Sequence, residues 1–277
     1  MQQNPTCRQI ILVGAGRVAQ HLGPALWRAG HSVTHVWSRT PEAAATVAAQ
    51  IPGATPITSL DFRFLPVADL YIVCVPDGVV PAVLATAAFP PMALVVHTAG
   101  ALPVAVFEPY PALRGGVFYP LQTFSAGRSI EWASVPICIE AATAVDQEML
   151  VQVARSISQV VELVATPQRQ TLHVAAVFAC NFTNHLLGIG HVLLQEANLS
   201  FTLLEPLVRE TVQKALAHSP FTVQTGPAVR QDVVTLERHR SLLPAHPAWL
   251  AIYNQLTASI QAEYGKAAPN NPGTLPL

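Results

Sequence analysis

Residues 10–26, IILVGAGRVAQHLGPAL, carry the most informative pattern in this 277-residue chain. An apolar run from Ile10 to Val13 breaks at Gly14-Ala15-Gly16, and apolar residues then recur at helical spacing. The pattern predicts a strand, a tight glycine turn and a helix, with the spacing G-x-G-x-x-A.

Each small residue of this motif has a predicted role. Gly14 allows the sharp turn, Gly16 lets the backbone approach a pyrophosphate, and Ala19 permits close packing of helix on strand. The helix would also point unpaired N–H groups at the phosphates. We therefore predict that a dinucleotide contacts Gly14, Ala15, Gly16, Arg17 and Val18. The alternative is a turn with a purely structural role.

Composition limits the classes of partner. The chain is 51% hydrophobic and 11% charged, with a net charge of −1, so part of its apolar surface is expected to be buried between subunits. The absence of a basic excess argues against nucleic acid and acidic membranes and favours a small-molecule partner. Four scattered cysteines without C-x-x-C spacing indicate no disulfide framework, and we expect a reducing, cytoplasmic setting without secretion.

The end of the second predicted strand, SVTHVW, bears on cofactor choice. Folds that prefer NAD usually place an acidic residue here to hold the ribose 2′-OH, whereas this chain has Ser38, Arg39 and Thr40. A guanidinium with two hydroxyls suits a 2′-phosphate, so the sequence favours NADP(H) over NAD(H). Capping of the helix that starts at Pro41 is a second use for Ser38 and Thr40.

Two further buried strands should deliver polar residues to the same edge of the sheet. One ends in Val75-Pro76-Asp77, and the next delivers His97 and Thr98. We expect Val75, Pro76, Asp77 and Thr98 to line the cofactor cleft, with His97 near the reacting group. Cys74 fits a core position better than that of a nucleophile.

The stretch GGVFYPLQTF ends in Tyr119, Gln122 and Thr123, which are either substrate contacts or structural polar groups. Strand signals stop after residue 165. The predicted fold is therefore α/β: a doubly wound, mostly parallel Rossmann sheet in residues 1–165 and an all-α domain in residues 166–277.

The first helix of that domain, predicted over residues 168–197, carries polar residues on an apolar background. Winding at about 100° per residue places His173, Asn184 and His191 on one side, and the stripe is either a cleft wall or a set of satisfied core polar groups. We interpret the helix as buried rather than membrane-spanning, because these polar groups are costly in lipid. The histidine spacing does not predict a metal site.

A second polar segment, PFTVQTGPAVRQD, lies between two later helices, the second of them predicted over residues 228–243. Thr225 can cap a helix, Gly226 permits an unusual backbone angle, and Arg230 can recognise a carboxylate or phosphate. Arg230 can equally pair with Asp232 or a glutamate.

Taken in order, these motifs resemble a known family. GAGRVA, SRT, VPD, HTAG, YPLQTF, LHVAAVFACNFTNHL and QTGPAVRQD are similar to proteins that join a Rossmann-like NADP-binding domain to a C-terminal domain of unknown function, often labelled NADP oxidoreductases. This family resembles the wider 6-phosphogluconate dehydrogenase-like and pyrroline-5-carboxylate reductase-like enzymes. The resemblance implies an all-α second domain, a homodimer through it, and hydride transfer at the interdomain cleft.

The chain departs from these relatives at one position. The β-hydroxyacid dehydrogenases carry a catalytic Lys four residues before an Asn, and if Asn181 is that Asn, the Lys position holds Val177. The leading hypothesis is an NADPH-dependent reductase of a small C=O or C=N group. His97 and His173 are candidate proton donors. Asn181 is a catalytic candidate, with Tyr119, Gln122, Thr123, Asn184, Thr225, Gly226 and Arg230 as substrate contacts. The alternative is a non-catalytic NADP(H)-binding sensor or assembly protein.

Overall fold

The structure is a computed structural model that describes residues 7–125 and 127–265. The Pro/Asn/Gly-rich tail, residues 268–277, which composition predicts to be frayed, lies outside them. The chain divides into two compact units, Met1–Ala179 and Cys180–Leu277.

The first unit is built on an eight-stranded sheet in the order β3-β2-β1-β4-β5-β6-β7-β8. Its strands are β1 Gln9–Val13, β2 Ser32–Trp37, β3 Thr55–Ile57, β4 Leu70–Val73, β5 Leu94–His97, β6 Arg114–Pro120, β7 Ile137–Ala141 and β8 Val161–Leu163. All neighbouring pairs are parallel except β6 with β7. The predicted doubly wound, mostly parallel sheet is confirmed.

The central strand shows why the sequence forms this sheet. Ile10, Ile11, Leu12 and Val13 are fully buried, since both faces of a parallel sheet are covered. Alternate residues therefore enter different cores, with Ile10 and Leu12 in one and Ile11 and Val13 in the other. The helices of this unit are α1 Arg17–Arg28, α2 Pro41–Ala48, α3 Val80–Thr86, α4 Ala144–Arg155 and α5 Thr166–Ala176.

The long helix predicted over 168–197 is continuous but irregular. It consists of α5, a π-helical segment Val177–Phe182, and α6 Thr183–Glu196. Because a π-turn holds more residues than an α-turn, the predicted alignment of His173 with Asn184 and His191 is wrong. Asn184 and His191 both lie on α6 and keep their common face.

The same helix also differs from the prediction in its burial. Among the described residues, Thr166–Glu196 is the helix with the length and composition to cross a membrane, with a mean hydropathy of 1.3. None of its most apolar window is buried. The single chain therefore does not bury this part of the helix, and its burial between subunits stays a prediction. Apolar side chains, including Phe178 and Leu186, remain exposed.

The described part of the second unit is helical, as predicted, with α6, α7 Glu205–Ala217, α8 Val233–Ser241 and α9 Pro247–Gly265. The helix predicted from residue 228 begins at Val233 instead. Gln231 has a φ of 54°, and the side chain of Asp232 accepts a hydrogen bond of 3.1 Å from the Thr235 amide as N-cap. A positive φ interrupts α-helical winding, so Arg230 lies in the preceding turn.

The predicted domain boundary after residue 165 coincides with the start of α5. The division into compact units falls 14 residues later, between Ala179 and Cys180. The first turns of α5 are held to the sheet unit by side chains described below, which places them with the first unit. The boundary at residue 165 stays a prediction.

Candidate active site

The glycine turn between β1 and α1 has the backbone geometry that its sequence predicts. Gly14 has a φ of 131°, and a Cβ there would lie 2.5 Å from the Cys74 carbonyl oxygen, so the fold itself requires this glycine. Gly16 is exposed, and a Cβ there would come no closer to the protein than 3.7 Å, also at Cys74.

The start of α1 fits a dinucleotide phosphate. Gly16 is its N-cap without a side-chain capping hydrogen bond, and the first turn holds no acidic residue. The first helical N–H groups, beginning at Arg17 and Val18, are thus available to an anion. Ala19 is fully buried in the core between helix and sheet, as predicted.

The segment after β2 presents the residues predicted to choose the cofactor. Ser38 Oγ accepts a 3.4 Å hydrogen bond from the Thr40 amide, and Thr40 is the N-cap of α2 without a side-chain capping bond. Arg39 is exposed and forms no ion pair within the described ranges 7–125 and 127–265. Its guanidinium is therefore available to a ligand.

The ends of β4 and β5 meet at the same edge of the sheet. Thr98 donates from its amide and its hydroxyl to the Val73 carbonyl, at 3.2 and 3.3 Å. Val75 and Pro76 lead into a short 3₁₀ turn, Asp77–Val79. Cys74 is buried, and burial raises its thiol pKa to about 12, which confirms it as a core residue.

His97 is more deeply buried than a proton donor at an open cleft is expected to be. Its ring is fully buried and stacks on Phe107 at 5.9 Å, and Nδ1 accepts a 3.2 Å hydrogen bond from the Ala99 amide. Burial and the Arg169 charge lower its pKa to about 4, against smaller opposing effects of the Pro103 carbonyl and Glu140. A neutral, enclosed imidazole is poorly placed to deliver protons to an open cleft.

Tyr119 and His173 form a direct polar pair. The Tyr119 hydroxyl lies 3.1 Å from His173 Nδ1, and the two rings meet edge to face at 6.0 Å. Tyr119 is 8% exposed, and burial, followed by Cys138 and Asp77, raises its pKa to about 12. The phenol is therefore protonated at neutral pH. Its hydroxyl donates to Nδ1 when the half-buried imidazole is neutral and accepts from Nδ1 when the imidazole is protonated.

Gly100 is the residue that lets this pair form beside the loop after β5. A Cβ at Gly100 would lie 2.5 Å from His173 Nδ1 and 2.8 Å from Tyr119 Cζ. Three of the quoted motifs, HTAG, YPLQTF and LHVAAV, thus meet at one point. His173 joins the predicted substrate contact Tyr119 at the carboxyl edge of the sheet.

The start of α5 carries a charged cluster that the sequence does not predict. The fully buried guanidinium of Arg169 contacts the Glu140 carboxylate and donates to the Leu102 carbonyl at 2.7 Å. Thr166 donates to Glu140 from both its amide and its hydroxyl, at 3.0 and 2.8 Å. Although burial opposes it, hydrogen bonds from Arg169 and Thr166 hold the pKa of Glu140 below its ordinary value.

This cluster fixes α5 against the loop after β5, which carries Gly100. Gln170 adds a 2.9 Å hydrogen bond to the Ala101 carbonyl. The only local signal is Thr166-Pro167, which indicates a helix start; the burial of Arg169 depends on Glu140, a residue distant in sequence.

Gln122 and Thr123 lie in the exposed loop after β6. Gln122 Oε1 accepts a 2.8 Å hydrogen bond from the Thr123 amide. The loop is tied to α1, where His21 Nε2 lies 3.1 Å from the Ser125 carbonyl oxygen. The first unit thus gathers the glycine turn, Asp77, Thr98, Tyr119, His173 and this loop along one edge of the sheet.

The remaining predicted residues belong to the second unit. Asn181 is exposed in the π-helical segment and Asn184 is exposed on α6. Gly226 has the predicted unusual backbone, with a φ of 113°, and the adjacent Thr225 is exposed. Arg230 is exposed and makes no ion pair with a described carboxylate, since Asp232 binds Thr235 instead.

Two family models match the chain. A Rossmann-like domain covers residues 2–121, and a domain of unknown function, DUF2520, covers residues 135–260. No curated protein sequence matches the chain significantly.

Solved structures match nearly the whole chain. A "putative NADP oxidoreductase" from Bacteroides fragilis is 38% identical, with a TM-score of 0.83, over 92% of this chain and 98% of that one. A reductive aminase from Aspergillus terreus, solved with NADPH and ethyl levulinate, is 15% identical with a TM-score of 0.70, over 94% and 95%. A pyrroline-5-carboxylate reductase from Coxiella burnetii is 15% identical with a TM-score of 0.57, over 96% and 100%.

The last two similarities concern the fold alone. The Bacteroides similarity spans both units at an identity that establishes common family membership. The chain belongs to the NADP oxidoreductase-like family that joins a Rossmann-like domain to a DUF2520 domain.

Proposed function

We propose that this protein is an NADPH-dependent oxidoreductase that reduces a small C=O or C=N group. The observation that carries the proposal is the Tyr119–His173 pair, 3.1 Å between hydroxyl and Nδ1, on the sheet edge that also holds the glycine turn. Bound NADPH would supply the hydride. The names of the Bacteroides and Aspergillus relatives support this class of reaction.

The chain's own contribution is binding, orientation and a proton. Hydride transfer to a carbonyl or imine leaves an oxygen or nitrogen that needs a proton from a donor within hydrogen-bond reach. We assign this role to His173 in its protonated form, which becomes a neutral imidazole when the proton leaves. Its ring is half-buried beside Tyr119, whereas His97 is enclosed and neutral. Tyr119 fixes the orientation of the imidazole through Nδ1.

We further propose NADP(H) as the preferred cofactor. Arg39 is exposed, has no carboxylate partner among the described residues, and adjoins Ser38 and Thr40. A 2′-phosphate would receive charge-assisted hydrogen bonds there. No acidic residue occupies this segment to hold a 2′-OH instead.

For the substrate we propose a carbonyl or imine compound that is not the oxidised form of a β-hydroxyacid. Val177 provides no ammonium group to replace the catalytic Lys of the β-hydroxyacid dehydrogenases. Gln122 and Thr123 in the first unit, and Asn181, Asn184, Thr225, Gly226 and Arg230 in the second, remain our proposed contacts.

A second candidate, a non-catalytic NADP(H)-binding sensor or assembly protein, is favoured by the same Val177. Incubation of the protein and NADPH with a panel of carbonyls and of carbonyl–amine mixtures separates the two. Oxidation is followed as the loss of absorbance of the reduced nicotinamide. Oxidation dependent on one panel member supports the oxidoreductase. NADPH binding without oxidation by any member supports the sensor.

We also propose a cytoplasmic homodimer through the helical unit, with no nucleic-acid or membrane partner. Leu216 and Leu242 are 84% and 72% exposed, and many such side chains are unusual on a monomer. Sedimentation equilibrium tests the dimer, and flotation with lipid vesicles tests whether Thr166–Glu196 enters a membrane instead.

A further inference from the structure

A cavity of about 380 Å³ opens at the edge of the sheet opposite the candidate active site. It lies where β1, β4, β5 and β6 begin, and the first turn of α4 forms one wall. Its volume falls within the range of about 300–1,000 Å³ that small-molecule sites occupy. No step of the proposed function uses this cavity.

A buried hydroxyl in the cavity wall lacks a partner. Tyr71 is 1% exposed, and its hydroxyl forms no hydrogen bond of ordinary geometry with the described residues. Burial raises the pKa of this phenol, with a smaller opposing effect from the backbone of Ala68. The neutral phenol of Tyr71 lies beside a backbone amide and still has a proton to donate. Its hydroxyl therefore lacks a hydrogen-bond acceptor in the part of the chain that the structure describes.

Two ion pairs line the cavity, Arg114 with Asp146 and Arg8 with Asp69. Asp146 accepts from Arg114 at 2.5 Å and from the Thr143 hydroxyl at 2.8 Å. Asp69 accepts from the Gln9 amide at 2.8 Å. Both carboxylates thus have partners within the protein, and each can accept further hydrogen bonds.

The two arginines of the lining, Arg8 and Arg114, have guanidinium N–H groups without a hydrogen-bond acceptor among the described residues. Arg8 lies 3.8 Å from Asp69, beyond hydrogen-bond distance, and is 27% exposed at its side chain. Arg114 donates from Nε to the Met92 carbonyl at 2.8 Å and from Nη1 to Asp146, which leaves donors on Nη2. A ligand in the cavity would therefore lie beside two guanidinium groups, each already paired with an aspartate, and beside Tyr71.

The rest of the lining is apolar. Val67, Met92 and Val145, which are 76%, 60% and 75% exposed in the protein, line the cavity together with two prolines. Apolar walls with a few convergent polar groups are typical of sites for small organic molecules. An inorganic ion would leave these walls in contact with water.

We propose that this cavity is a second binding site, for a small organic carboxylate whose apolar body contacts the valine, proline and methionine side chains. The carboxylate accepts from the Tyr71 hydroxyl and pairs with Arg8 and Arg114. The site is separate from the candidate active site, and the proposal does not depend on the proposed function.

Titration calorimetry with benzoate tests the site, with neutral benzamide as the matched probe. Benzoate should bind the wild-type protein, equally well with and without saturating NADPH, and benzamide should bind more weakly. Tyr71→Phe should weaken benzoate binding about tenfold or more, as expected for the loss of a hydrogen bond to a charged group. Because it removes an unpartnered polar group, this variant should keep the wild-type Tm without ligand.

Tyr119→Phe is the control, since it removes a hydroxyl at the opposite edge of the sheet. Unchanged benzoate affinity in Tyr119→Phe supports the proposal, whereas a loss there would place benzoate in the candidate active site and overturn it. Arg8→Gln, which removes one partly buried cation, should weaken binding severalfold. No binding of benzoate to the wild type, or equal binding to Tyr71→Phe, would also overturn the proposal.

Discussion

The Tyr119 hydroxyl lies 3.1 Å from Nδ1 of His173, although 54 residues separate them in sequence. The contact joins the end of β6 to the first helix beyond the sheet. It places an imidazole, held by a protonated phenol, on the sheet edge where the predicted cofactor turn lies.

Gly100→Ala should disturb the pair directly. The new methyl group would lie 2.5 Å from His173 Nδ1 and 2.8 Å from Tyr119 Cζ, so both rings must move, and such overpacking costs about 1–3 kcal/mol. We expect a lower Tm and a lower kcat for NADPH oxidation. Gly188→Ala, where a Cβ meets no atom within 4 Å, is the control and should retain both. Wild-type kcat in Gly100→Ala would contradict the geometry.

Gly14→Ala and Gly16→Ala should have different effects. At Gly14 the φ of 131° and the Cys74 carbonyl oppose any side chain, so this variant should lose stability. At Gly16 the protein has room, and the expected obstacle is the pyrophosphate. Gly16→Ala should keep its Tm but bind NADPH roughly tenfold or more weakly. Wild-type NADPH affinity in Gly16→Ala would show that the turn has only a structural role.

Arg39→Asp should change cofactor affinity. Loss of charge-assisted bonds to the 2′-phosphate is expected to cost roughly 1.5–3 kcal/mol, about ten- to a hundredfold in NADPH affinity. NADH binding should weaken much less. Arg28→Asp makes the same charge change at the other end of α1, on an exposed residue, and should leave both affinities unaltered. Calorimetry that finds unchanged NADPH affinity in Arg39→Asp would remove the assignment.

His97 should make the first unit sensitive to acid. Burial lowers its pKa from 6.5 to about 4 in the folded state, so the unfolded chain binds an extra proton between these values and stability rises with pH there. Stability should therefore fall as pH drops from about 6.5 to 4. His97→Asn should flatten this dependence in urea unfolding, whereas His218→Asn, at an exposed position, should not. An unaltered slope in His97→Asn would contradict the assigned burial.

The sheet was predictable because its signals are local. The strand of residues 10–13, the turn at Gly14 and the buried Ala19 are all encoded within ten residues. The features that the sequence does not predict depend on contacts between residues distant in sequence, or on single backbone angles. His97 is enclosed by Phe107, and Arg169 by Glu140. The start of α8 is set by the positive φ of Gln231.

The polar stripe failed for a different reason. Residues at helical spacing share one face only where the winding is uniformly α-helical, and nothing in the sequence of residues 177–182 indicates a π-helical segment. The sequence does indicate His173 as a polar residue on an apolar helix. Its partner Tyr119 was identified as a possible contact, but their pairing requires the folded structure.

The central claim is that His173 supplies the proton for a reduction by NADPH. Its most direct test is kcat for NADPH oxidation by His173→Gln, with the best substrate from the panel and with His218→Gln as control. General acid catalysis contributes about 10²- to 10⁴-fold, so kcat should fall by about that factor while NADPH affinity is kept. Full turnover by His173→Gln would contradict the account.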